Sequence, residues 1–575
     1  MIPLEAIGKQ KNMYESLSNG LFINQQDGES KFLCGPIRVL GITRDSDNRK
    51  NYGLLIEWEN LDNKIIRQVF PRKQIINENG RQLKEVLVDT GLAVSNRTRT
   101  WENIITFLNQ SLPKARLVSS SQTGWLNHSF ITPDWCISKE HEPVIYSGSR
   151  TELMSSKGSL ESWQTSVAPL CLNNPMLIFS ICSGLAAPLL YWLNWPSCGV
   201  HLFGKSKIAK TTVLNLAASL YSNQDYVYSW RSTANGLEII ASTHNDMLLC
   251  LDELHQVNAE DVDQSIYMLA NGMSKIRSNQ DGSLGEKRKW RLLYLSTGEV
   301  GLEEKLSTIQ KNLKAGQEIR FLEVPATRKF GIYDDLHGYS SIHEFSQAIW
   351  NGINLNHGSV FKAWIEYLSI TENLRLVLSN QIAETLNQWR QTGDGNQVTE
   401  AAKRFALHAV AGELAISAGL LPWPIGTAEE AANIAFKSWL DTRGSNVDSE
   451  DEKLKKHLPK ALKHWRRKLL PEGKPLQDHY GYIIKENNVQ VWYLTRDAFK
   501  EGLDLNFKNQ VSQSVQYMAN QGWMETSEGR DTFKRVIPGG PAGGRYFKVI
   551  PNKIVSDLAL DEKLSQPIFP INEHD

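Results

Sequence analysis

The sequence predicts an α/β fold: a core of buried parallel strands, an N-terminal α+β domain before it, and a helical region and a winged-helix-like C-terminal domain after it. Three observations carry that expectation. Gly204-Lys205-Ser206-Lys207-Ile208-Ala209-Lys210-Thr211 stands between the apolar Cys198-Gly199-Val200-His201-Leu202-Phe203 and residues 212–220, whose apolar spacing suits a helix. About forty residues on, the apolar run 246–251 ends in Asp252-Glu253. A third apolar run, Arg291-Leu292-Leu293-Tyr294-Leu295, ends in Ser296-Thr297-Gly298-Glu299. Apolar strands that end in polar groups are the pattern of an open α/β sheet, whose ligands sit at the carboxyl ends of the strands.

The first stretch reads as a phosphate-binding loop. Backbone N–H groups at such a turn and at the following helix surround phosphates, a lysine reaches the outer ones and a hydroxyl meets magnesium. Lys210 and Thr211 fill the last two roles, and Thr212 completes the loop. Ala209 is irregular, because the tight bend at that point usually takes glycine. Asp252 is the expected magnesium carboxylate, and Glu253 the group that polarises the attacking water. Ser296 or Thr297 would sense the outer phosphate.

The totals narrow the class. The chain has 575 residues, enough for three or four domains, and its 63 Lys and Arg balance 63 Asp and Glu, so any basic surface is local. Six scattered cysteines without a C-x-x-C pair point to reduced, buried thiols and a cytoplasmic protein. The N-terminus has no apolar stretch of the signal-peptide kind. Residues 176–195 are apolar enough to be mistaken for a membrane span, but Ser180, Ser183, Gly184, Pro188 and Asn194 and the adjoining loop strand favour a buried helix, and no membrane partner is expected.

In chain order, residues 1–29 are polar and read as a loose arm. Residues 30–165 form the α+β domain, with alternating strands parted by Asx-rich turns, helices near 82–89 and 101–111, and a β-rich stretch over 123–146. Residues 166–335 are the core. Within it, the basic Lys287-Arg288-Lys289 and an Asp281-Gly282 turn suggest a cationic hairpin that contacts DNA, or else a solvated loop. Residues 316–325 read as a fourth core strand with Arg320 near its start, where an arginine could neutralise charge at a neighbouring subunit's nucleotide. Residues 336–443 are helical, and Arg404 is either a second sensor arginine or a surface residue. Residues 444–478 are a charged linker, with nine Lys and Arg against one carboxylate over 453–474. Residues 479–575, with Gly539-Gly540 at a turn, are winged-helix-like, a design that docks DNA or protein.

Longer stretches then give a family resemblance: Trp230-Arg231-Ser232-Thr233-Ala234-Asn235-Gly236-Leu237-Glu238, His244-Asn245-Asp246, Leu251-Asp252-Glu253-Leu254, Tyr267-Met268-Leu269-Ala270-Asn271-Gly272, Leu295 to Glu299, Ala315 to Arg320, and residues 405–420. From about Pro36 to the C-terminus the chain resembles the bacterial mobile-element family labelled domain of unknown function 927. Members look like AAA+ ATPases, and some resemble self-loading replicative helicases. Most carry glycine where this chain has Ala209. The minichromosome-maintenance helicases, a shorter resemblance, have a related loop in which alanine precedes the lysine. Their arginine-finger context looks like Arg320-Phe321, and their pore hairpin lies where Lys287-Arg288-Lys289 falls.

The resemblance implies an α/β P-loop AAA+ ATPase core using ATP and Mg2+. It implies a homo-oligomeric ring, a hexamer, acting on single- or double-stranded DNA for a mobile element or phage. No primase signature accompanies the core, so a separate primase or initiator is an expected partner. Two alternatives stay open: an AAA+ loader, remodeller or defence ATPase that does not unwind, and a non-enzymatic DNA-binding scaffold with a decayed nucleotide site.

Overall fold

The computed structural model describes residues 13–25, 29–148, 153–275, 287–309, 318–389, 394–443, 449–476, 480–487, 489–503, 508–527, 530–541 and 544–566. They fall into two compact units, Met1–Arg390 with Ala401–Thr442 and Gln391–Glu400 with Arg443–Asp575.

In the first unit, strands β1 (Tyr14–Leu17), β2 (Gly20–Asn24) and β3 (Ser30–Cys34) form an antiparallel sheet. The stretch expected to be a loose arm is therefore structured from Met13 on: Leu21 and Cys34 are buried beside Ile37 and Trp58, and that apolar cover fixes a polar-looking hairpin. Strands β4 (Ile37–Arg44), β5 (Gly53–Glu59) and β6 (Ile65–Pro71) then run antiparallel, and β7 (Arg116–Ser120) lies parallel to β4. Their turns follow Asx chemistry. The Asp45 carboxylate accepts from the N–H of Arg49, the Asn60 side chain accepts from Asp62 and Lys64, and Asn48 and Asn63 take left-handed backbone. Helices α1 (Arg81–Asp89) and α2 (Thr100–Gln110) bury Leu83, Leu87, Ile104 and Leu108 against this sheet.

Three short strands, β8 (Gly124–Leu126), β9 (Ser129–Ile131) and β10 (Cys136–Ile137), join that region to the core, and β11 (Val144–Tyr146) returns to β7. The joint is Asp246, fully buried. Its carboxylate accepts from the backbone N–H of Trp125 at 3.0 Å and from the Arg291 guanidinium at 2.8 Å, and Asn245 donates to the carbonyl of Thr123 at 2.7 Å. Burial raises the Asp246 carboxyl pKa even so, with Arg291 opposing.

The apolar run at 176–195 is two helices, α3 (Pro175–Ala186), buried nearly throughout, and a shorter one at Leu189–Leu193 that Pro188 separates from it. No described helix is long and apolar enough to cross a membrane. The core sheet follows: β12 (Cys198–Phe203), β13 (Val227–Ser229), β14 (Leu248–Asp252), β15 (Leu293–Gly298) and β16 (Phe321–Pro325), in the order β13-β14-β15-β12-β16 and parallel throughout. Buried on both faces, these strands read as continuous apolar runs, as parallel strands do. The fourth core strand begins at Phe321, and its expected first residues, 316 and 317, lie outside the described residues. Helices Ile342–Leu355, Ser359–Ile370, Leu374–Trp389, Asn396–Ser417 and Thr427–Arg443 make up the helical region.

In the second unit, the stretch expected to be a charged linker contains helix α4 (Ser449–Arg466). Leu454, Leu458, Ala461, Leu462 and Trp465 line one stripe of it and are buried with Trp492, Phe499 and Phe547. Lys456, Lys460 and Lys463 are exposed on the remaining face. The unit's sheet holds β17 (Leu469–Pro471), β18 (Gly481–Glu486), β19 (Val489–Leu494), β20 (Met524–Glu525), β21 (Phe533–Lys534) and β22 (Arg545–Val549). Helices α5 (Arg496–Gly502), α6 (Lys508–Asn520) and α7 (Pro551–Asp557) complete it. Strands β19, β22 and β20 are adjacent and antiparallel, and β21 pairs with the start of β22 as a hairpin.

Candidate nucleotide site

The loop at 204–209 leaves the carboxyl end of β12, and the helix Lys210–Ala218 leads away from it. Gly204 N–H donates to the carbonyl of Gly298 at the end of β15 (3.2 Å). A side chain on Gly204 would meet Ile208 Cδ1 at 2.9 Å and Thr327 Oγ1 at 3.1 Å. The segment after β16 braces the loop from the other side: Ala326 N–H donates to Phe203 O (2.8 Å) and Ile332 N–H to Ile208 O (3.0 Å). Ala209 has φ 70° and ψ 28°, a left-handed conformation that glycine takes without cost, which accounts for the expected glycine. Lys205, Ser206 and Lys207 are exposed.

The Lys210 ammonium donates to the carbonyls of Gly204 (2.8 Å) and Lys205 (2.7 Å). Burial lowers its pKa, while Glu299 and Asp252 act to raise it. Thr211 Oγ1 donates to Asp252 Oδ2 at 2.9 Å. Thr297 Oγ1 donates to Asp252 Oδ1, which also accepts from Glu253 N–H at 2.9 Å. One carboxylate thus joins the loop helix, the acidic strand and the third strand. Glu253 takes left-handed backbone (φ 66°) and exposes its side chain beside this junction.

Adjacent strand residues face opposite ways, and this separates Ser296 from Thr297. Ser296 is fully buried on the far face, where its hydroxyl accepts from Trp230 Nε1 (2.8 Å) and lies 2.9 Å from His201 Nδ1. His201 Nε2 is 3.1 Å from the carbonyl of Val300, so the proton sits on Nε2 and Ser296 donates to Nδ1. Burial drives the His201 pKa down to about 4 and keeps the ring neutral. Behind it, Glu323 accepts from Leu302 N–H, and burial pushes its carboxyl up to about 7. Of the two sensor candidates, Thr297 alone reaches the Asp252 cluster.

Other expected site residues lie elsewhere. Thr212 is buried, and its hydroxyl accepts from Trp350 Nε1 at 3.2 Å, beneath the helix rather than at the loop. Arg404 donates to the carbonyl of Pro196 (3.1 Å) and lies over the Trp195 ring (5.2 Å), at the start of β12. Six residues at roughly 3.3 Å each put the loop about 20 Å further along that strand, so Arg404 does not reach its own chain's loop. Arg320 is exposed in the turn before β16, and its carbonyl accepts from Gly199 N–H (2.8 Å), again at the amino end of the sheet. Lys287, Arg288 and Lys289 are exposed; Lys289 pairs antiparallel with Met273, and Ser274 N–H donates to the carbonyl of Arg288 (2.9 Å). The Asp281-Gly282 turn lies outside the described residues.

Glu299 and His201 also belong to this neighbourhood. Glu299 is the strongest electrostatic partner of Lys210, and His201 braces the far face of β15. Glu299 was visible as the last polar residue of its run, whereas His201 was hidden inside an apolar strand. The donor set fits Mg-ATP. Thr211 and Asp252 offer the hard oxygens that magnesium takes from protein, one or two alongside substrate phosphates. No cluster of three or more His, Cys, Asp or Glu suited to a metal occurs among the described residues.

Among solved structures, the one described as "SCCmec type IV Cch - active helicase" has the same fold, with TM-score 0.65 and 17% identity over 97% of this chain and 100% of that one. The A form apo structure of the NrS-1 C-terminal region aligns at TM-score 0.26 and 12% identity, over 69% of this chain and 91% of that one. No curated protein matches the chain. Residues 18–290 match the model of the family described as Domain of unknown function (DUF927). The match starts earlier than the resemblance suggested and stops at Trp290, so the stretches 295–299, 315–320 and 405–420 lie beyond it.

Proposed function

We propose that the chain is a P-loop ATPase of the AAA+ class that works as a DNA helicase or translocase of a mobile genetic element, hydrolysing ATP between the subunits of a hexameric ring. The observation that carries this reading is the Asp252 carboxylate, which joins Thr211, Thr297 and the Glu253 backbone beside Lys210. Support also comes from the shared fold of a helicase from a mobile element. The alanine before Lys210 and the Arg320-Phe321 and Lys287-Arg288-Lys289 contexts favour the minichromosome-maintenance type within that class.

Lys210 turns from the loop carbonyls to phosphate oxygens, and Thr211 and Asp252 would hold magnesium, which neutralises charge on the phosphates when bound. Glu253 orients the attacking water and takes its proton, and Thr297 fixes the Asp252 carboxylate. Arg320, too far from its own loop, serves a neighbour's as a finger. The basic hairpin meets the DNA backbone. A winged-helix reading of the second unit adds a further docking module.

The test is ATP turnover with and without DNA. Lys210→Ala and Glu253→Gln should each lower turnover by on the order of 10²–10³. Equal, negligible rates in wild type and Lys210→Ala would leave the scaffold reading standing. DNA-stimulated turnover without strand displacement would leave a loader or remodeller instead.

A further inference from the structure

The second unit carries a pair of cations that its own folding does not account for. In the hairpin, Lys534 lies directly opposite Arg545, and Phe533 opposite Tyr546. Like charges directly opposite on a sheet repel. Both side chains are exposed, and neither has an ion-pair partner among the described residues. Their neighbours differ: Arg535 pairs with Glu486, and Lys548 pairs with Glu486 (2.9 Å) and Glu525 (2.5 Å).

Alternation along β22 says where the unpaired cations point. Phe547 and Val549 are buried in the core that contains helices α5 and α6, so Arg545, and Lys534 opposite it, rise from the sheet face that carries the helices. Tyr546 and Lys548 face the other way. On the helix-bearing side, α6 buries Val511, Val515 and Met518 and exposes Ser512, Gln513, Gln516 and Asn520, an uncharged stripe of amides and a hydroxyl. Ser512 Oγ donates to Asp531 Oδ2 (3.0 Å), tying this helix to the start of the hairpin.

We propose that Lys534, Arg545 and the amide stripe of α6 form one docking surface for duplex DNA, the helix in the major groove and the two cations on flanking phosphates. The major groove of B-DNA admits a helix, and Gln and Asn pair with adenine edges there. A-form RNA, with its deep, narrow groove, does not offer that fit. These residues belong to the second unit and the nucleotide residues to the first; the inference rests on the winged-helix reading of the second unit and not on ATP hydrolysis.

The experiment uses the full chain without nucleotide, a fluorescent DNA duplex, and anisotropy titrations across about 50 to 200 mM salt. Lys534→Gln with Arg545→Gln should weaken duplex binding by on the order of tenfold and reduce the slope of log affinity against log salt by about 2, since each phosphate contact contributes about 0.9. The swap Lys534→Arg with Arg545→Lys should restore both. Gln513→Ala with Gln516→Ala should leave the slope unchanged and relax the preference among DNA sequences. Lys210→Ala should bind duplex as the wild type does, which separates this surface from the ATPase. An unchanged slope in the doubly neutral variant, or an equal loss on an RNA duplex of the same sequence, overturns the proposal.

Discussion

Ala209 holds a left-handed backbone at the tightest point of the loop, with φ 70°. An L-residue there carries a cost of about 1 to 2 kcal/mol that glycine does not. Ala209→Gly should therefore stabilise the fold by about 1 kcal/mol in thermal or denaturant melts. ATP turnover should change by less than about twofold, because the loop already has the glycine-like geometry and Lys210 and Thr211 keep their places. A large gain in turnover would mean that alanine impairs the native site. The irregularity was legible in the sequence because the φ that the loop needs is known in advance. What separates Ser296 from Thr297 was less so: alternation says that only one faces the loop, but which one depends on where the strand ends, and β15 runs on to Gly298. The places of Thr212 and Arg404, away from their own chain's loop, were not legible for a similar reason, since neither residue type says which partner, Trp350 or Trp195, will claim it.

At the scale of elements, the second unit is held by Glu486. It sits between Tyr493, Lys548 and Arg535, and although partial burial pushes its carboxyl up, those three hydrogen bonds bring it from an ordinary 4.5 to about 2. A carboxylate with a depressed pKa contributes stability that is complete above its unfolded value and is lost as pH falls through the folded one. The sheet of β18, β19 and β22 should accordingly loosen between about pH 4.5 and about pH 2. Glu486→Gln should flatten that part of an acid titration followed by near-ultraviolet circular dichroism, and a wild-type curve already flat there would refute the assignment. Strand and helix existence in the core was readable from apolar runs and their polar ends. Two elements were not: the hairpin at Tyr14–Asn24 looked polar because part of its cover comes from residues further along the chain, and α4 looked like a linker because its charges outnumber the apolar stripe that Leu458 and Trp465 define.

At the scale of the molecule, the first unit is stitched together by a buried pair, Asp246 with Arg291, under the backbone of Trp125. This explains why His244-Asn245-Asp246 stood out among the family-like stretches without any catalytic chemistry of its own. The core sheet also carries candidate site residues at both ends. Lys210, Thr211, Asp252 and Thr297 gather at the carboxyl ends of its strands, and Arg320 sits at the amino end of β16. With hydrolysis between subunits as proposed above, each chain would contribute its loop to one interface and its Arg320 to another, and two inactive variants should complement one another. Lys210→Ala keeps its arginine, Arg320→Ala keeps its loop, and an equal mixture of the two should assemble about one competent interface in four. Activity that returns on mixing two inactive preparations, where either alone stays silent, is the signature of a catalyst that no single chain owns.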